Sequence, residues 1–105
     1  MATQSTNPSG LEPAHRQTID FHVRYIGARR SFDERNAPGR ETLGQAKPQV
    51  LDFFKLKEGP ANGGTKTYVF ARDGIVLTDL NQMLGDLAQP RDVLKLDLLE
   101  RFEQG

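Results

Sequence analysis

VLKLDLLERFEQG, residues 93–105, starts as a strand and ends as something else. Leu94, Leu96 and Leu98 fall on one face and Lys95 and Asp97 on the other, the period-two pattern of a half-buried strand. Beyond Leu99 the apolar alternation stops. Residues 100–105 therefore read as a flexible C-terminal tail, and 93–99 as the last strand of a sheet. What that strand completes has to be found upstream.

Working back, Gln89-Pro90-Arg91-Asp92 is a turn, and Leu80, Met83, Leu84 and Leu87 recur at the spacing of one short helical turn. TKTYVFA (65–71) reads as a strand, Arg72-Asp73-Gly74 as a tight hairpin signal, and IVLTDL (75–80) as a short return strand. GPANGG (59–64) reads as a loop. Leu43, Ala46, Val50, Phe53 and Phe54 form a helical stripe over 42–55 with Thr42 as N-cap. Pro48 lies inside that stripe, where it removes a hydrogen bond and crowds Gly44, so a kinked or restarted helix is favoured over one that ends at Lys47 with VLDFFKLK (50–57) as a strand. IDFHVRYI (19–26) alternates cleanly, with Ile19, Phe21, Val23 and Tyr25 on one face. ARRSFDERN (28–36) is its return strand, with Phe32 inward, broken by Asn36-Ala37-Pro38-Gly39.

Residues 1–17, MATQSTNPSGLEPAHRQ, hold a single large apolar side chain after Met1, Leu11, and read as a disordered N-terminal tail. The folded domain spans 18–99. Fourteen basic residues balance fourteen acidic ones, which argues against an electrostatic nucleic-acid binder. There is no cysteine, so disulfides, zinc-thiolate sites and thiol nucleophiles are excluded. No run approaches the roughly 20 apolar residues of a membrane span, and no signal-peptide core precedes the domain. The expected location is cytoplasmic, without membrane partners.

The order strand, strand, helix, strand, short strand, helical turn, strand is an α+β solution, and it is that of the β-grasp fold. ETLGQAKPQVLDFFKLKEG (41–59) resembles the ubiquitin helix region, with Leu43, Ala46, Lys47 and Val50 at its spacing. TYVFARDGIVLTDL (67–80) and DVLKLDLLERFEQG (92–105) are similar to the segments that follow in ubiquitin. The resemblance, over 18–105, is to ubiquitin-like proteins, and in particular to bacterial modifiers. It implies a mixed sheet of four to five strands on one main helix. It further implies no catalytic residue and no cofactor in the chain itself, and conjugation through Gly105 to a target protein. The implied partners are an activating enzyme, a conjugating enzyme and a deconjugating metalloprotease, with Arg101, Phe102, Glu103 and Gln104 recognised in the tail. Two departures stand out. The chain ends in one glycine where ubiquitin has two, and the outward positions Lys95 and Asp97 fall where ubiquitin carries an apolar patch.

A single glycine lacking a Cβ suits passage through a narrow enzyme channel, but glycine is also common everywhere. Phe102 reads equally as a groove anchor or as the last core residue of a long strand. His15 and His22 lie too far apart in the pattern for a metal site or an acid–base pair. Asp73, Asp79 and Asp92 sit at turns, where aspartate caps backbone donors. Lys47, Lys55, Lys57 and Lys66 are candidate chain-building amines, with plain solvation as the commoner role of a lysine. Besides a conjugated modifier, the residues admit a non-conjugated ubiquitin-like interaction module and, less well, a sulfur carrier.

Overall fold

A computed structural model describes residues 18–104. The expected N-terminal tail, 1–17, and the terminal Gly105 lie outside the described residues. The elements run β1 (Thr18–Tyr25), β2 (Phe32–Pro38), α1 (Leu43–Phe54), β3 (Gly59–Ala61), β4 (Gly64–Arg72), β5 (Ile75–Leu77), α2 (Leu84–Ala88) and β6 (Val93–Gln104). They build one six-stranded sheet in the order β2-β1-β6-β4-β3, with β5 also on β4. β1 and β6 are parallel, and every other pair is antiparallel. No helix among the described residues is long and apolar enough to cross a membrane.

Strand alternation puts Ile19, Phe21 and Val23 of β1, Tyr68 and Phe70 of β4, and Leu94, Leu96 and Leu98 of β6 into one core. Leu43, Ala46 and Val50 of α1, with Leu84 and Ala88 of α2, fill it from the helical side. Phe32 packs edge-on against Phe21 at 5.9 Å between centroids and against Phe53 at 5.5 Å.

The α1 start is a capping box. Thr42 Oγ1 accepts from the Gln45 N–H at 3.2 Å while Gln45 Oε1 accepts from the Thr42 N–H at 3.0 Å. The next free amides, on Leu43 and Gly44, donate to the carbonyls of Gln82 and Leu80. A Cβ on Gly44 would sit 3.2 Å from that Leu80 oxygen, so glycine lets the loop before α2 close over the helix end. Despite Pro48, α1 runs as a single helix from Leu43 to Phe54. The helix stops where Lys55 adopts a left-handed conformation, φ 59°.

Three segments differ from the sequence reading. β2 does not break at Asn36; the register with β1 shifts by one residue and Asn36 takes φ 61°, a bulge that lets the strand continue and buries Ala37. GPANGG is not a loop but a hairpin: Gly59–Ala61 form β3, and Asn62 and Gly63, both at positive φ, turn the chain into β4. The expected flexible tail at 100–104 is strand. β6 continues through twelve residues, and its last five pair in unbroken register with Gly64–Tyr68 of β4. The backbone amides and carbonyls of this stretch of β4 need a partner strand, which the end of β6 supplies.

Candidate functional site

The C-terminal half of β6 is where the fold delivers the chain towards Gly105. Leu99 to Gln104 are all exposed, although their backbone is paired with β4. On the helical face Glu100 follows the core leucines, and its carboxylate lies 3.5 Å from the Tyr68 hydroxyl. Burial first, then the neighbouring Tyr25 and Glu100, push the Tyr68 hydroxyl up to about 12, so it stays a neutral donor. Phe102 comes next on that face and lies across Gly64: a Cβ there would stand 2.9 Å from one ring carbon and closer still to another. The ring is 43% exposed. Phe102 is thus not a core residue but a cover over a glycine in the adjacent strand. Arg101 and Glu103 project from the opposite face, and Gln104 ends the pairing opposite Gly64. The four expected recognition residues are brought together on one strand rather than on a loose tail.

The outer face of the sheet is mostly polar. His22 Nδ1 lies 2.6 Å from Asp33 Oδ1, and Ser31 Oγ donates to both Asp33 oxygens at 3.0 Å. These bonds, His22 first and Ser31 second, hold the Asp33 carboxyl below its ordinary value. Serine, aspartate and histidine therefore meet, but the hydroxyl is bonded to the carboxylate and not to the imidazole. Nothing here activates it as a nucleophile. Arg24 Nε donates to Asp97 at 3.2 Å across the parallel pair. Lys95 and Asp97 face outward as expected, yet Leu99 stands opposite Val69 on the same surface, an apolar pair that naming only Lys95 and Asp97 as the outward positions of 93–99 left out.

The candidate lysines separate. Lys47 Nζ is held by Glu58 at 2.8 Å, and the same Glu58 oxygen accepts from the Tyr68 N–H at 2.8 Å. Burial works to raise the Glu58 carboxyl, but Lys47 and the Tyr68 amide outweigh it and the net shift is downward. Lys47 thus clamps α1 to β4. Lys55 caps α1 through its backbone, Lys57 is exposed, and Lys66 lies opposite Phe102. Asp73 forms the β4–β5 turn at φ 52°, Asp79 accepts from the Asn81 N–H at 2.9 Å, and the Asp92 carbonyl accepts from Asp20 at 2.7 Å. Among the described residues no three His, Cys, Asp or Glu side chains are grouped to hold a metal ion.

No protein-family model matches this chain, and no curated protein matches its sequence. Solved structures do. The ubiquitin of Caldiarchaeum subterraneum superimposes with a TM-score of 0.58 at 18% identity, covering 84% of this chain and 99% of its own. A structure described as molecular mimicry of SUMO that promotes DNA repair gives 0.57 at 12% identity over 81% of this chain and 94% of the other. The N-terminal ubiquitin-like domain of the 4931431F19Rik protein gives 0.54 at 16% identity, over 100% and 96%. At these identities the likeness is one of fold. The fold is ubiquitin-like: a mixed sheet packed on a helix.

Proposed function

We propose that this chain is a ubiquitin-like protein modifier of the cytoplasm, joined to targets through Gly105. The observation that supports the reading most is the run of exposed residues Leu99–Gln104, which carries the chain past its core towards a terminal glycine. In the proposed chemistry the Gly105 carboxylate attacks the α-phosphorus of ATP and pyrophosphate leaves. A cysteine thiolate of the activating enzyme then displaces AMP to give a thioester, which passes to a conjugating enzyme. A target lysine amine displaces the thiol and forms the isopeptide bond. A deconjugating metalloprotease would hydrolyse that isopeptide bond, water releasing the Gly105 carboxylate and the free lysine amine. This chain supplies the carboxylate and the recognition surface, with Arg101, Phe102, Glu103 and Gln104 read by the enzymes.

A second reading, a non-conjugated interaction module, is favoured by one observation: residues 100–104 are engaged by β4 instead of hanging free. The two separate on incubation of the full chain with a candidate activating enzyme and ATP, followed by intact-mass analysis. A modifier gives a thioester or adduct that vanishes on deletion of Gly105, with the fold unchanged. ATP turnover without any adduct removes the modifier reading. Partner binding undiminished by the deletion then supports the module.

A further inference from the structure

Among the described residues, the end of β6 has one backbone edge paired and the other open. β4 follows it to Gln104, whereas β1 leaves it after Leu98. The Asp20 N–H donates to the Asp92 carbonyl at 2.7 Å, which fixes the phase of the parallel ladder. In that phase Leu94, Leu96 and Leu98 aim their amides and carbonyls at β1. Alternation then sends those of Glu100, Phe102 and Gln104 to the same side, where β1 no longer runs. Among the described residues this strand edge is unpaired, a template for another strand.

The side chains favour one occupant. An antiparallel copy of the same segment must set Glu100, Phe102 and Gln104 opposite one another to match hydrogen bonds. Centred on Arg101, such a pair places arginine against arginine; centred on Glu103, glutamate against glutamate. Centred on Phe102, it places each Arg101 opposite the partner's Glu103, each Glu100 opposite the partner's Gln104, and the two Phe102 rings together. Like charges directly opposite disfavour the first two registers, and opposite charges with an aromatic pair favour the third. Of these three registers, two set like charges against each other and one sets opposite charges together.

We propose that residues 100–104 of two copies of this chain pair antiparallel about a twofold axis at Phe102, joining their sheets into one. The interface is isologous and small, so association is weak and concentration-dependent. It stands apart from the conjugation reading, because its test needs no enzyme and no Gly105 chemistry.

The full chain is followed by sedimentation equilibrium over a concentration series, alongside Arg101→Glu and Glu103→Arg. Both side chains are exposed, and unchanged amide spectra verify the fold of each variant. The wild-type mass is expected to rise from one chain towards two. Each variant alone, now with like charges in the favoured register, should show a dissociation constant raised about tenfold or more. An equimolar mixture of the two should recover the dimer, because one carries only acids at these positions and the other only bases. A wild-type chain that stays monomeric at every concentration overturns the proposal. So does undiminished dimerisation of either variant alone, or a mixture no heavier than its components.

Discussion

At Gly64, two strands come closer than any side chain would allow. A Cβ there would strike the Phe102 ring and the Glu103 carbonyl, so Gly64→Val should lift the end of β6 from β4. Hydrogen exchange is expected to accelerate at residues 101–104 while the amides of Phe70 and Leu96 keep their protection. Asp33 offers a second test at one residue. Its carboxyl should titrate below the ordinary 3.8, and His22→Ala should bring it back up in part, with Ser31 retaining the remainder. Carbon-13 NMR across the acid range measures both. Neither contact was legible in the sequence. A glycine next to a glycine looks like a loop, and the register that lays Phe102 across it is decided by pairing between segments far apart in the chain.

Elements were legible where their signal was local. The N-cap at Thr42, the alternation of β1 and the Asp73-Gly74 turn each announce themselves within a few residues. β3 carried an equally local signal that went unread, since Asn62-Gly63 is the preferred pair for a tight hairpin. The strand at 100–104 had none: Glu100, Arg101, Glu103 and Gln104 have no apolar alternation, and their conformation comes from the open edge of β4. The join between α1 and the sheet depends on Lys47 and Glu58. Because the folded Glu58 carboxyl lies below its ordinary 4.5, its stabilisation is complete above that value. It is lost as the pH falls through the folded value. Urea midpoints followed downward from pH 5 should therefore fall less steeply for Glu58→Gln than for the wild-type chain.

For the molecule as a whole, the central strands β1, β6 and β4 supply most of the sheet's side of the core. Leu96 lies on the middle one, in the core and 3% exposed, so Leu96→Ala should cost about 2–5 kcal/mol in denaturant unfolding. Fold class followed from element order alone, because one helix among alternating strands has few compact arrangements. Arg101 to Gln104 were named from their position in the chain, whereas the strand that carries them comes from pairing with β4. The parallel pairing of β1 with β6 has a mechanical consequence. The first and last strands run side by side in the same direction, so tension applied through residues 18 and 104 pulls them past each other along their length. The backbone bonds from Asp20 to Tyr25 then share the load in shear instead of opening one after another like a zipper. Anything fastened to the end of β6 pulls on the centre of the sheet.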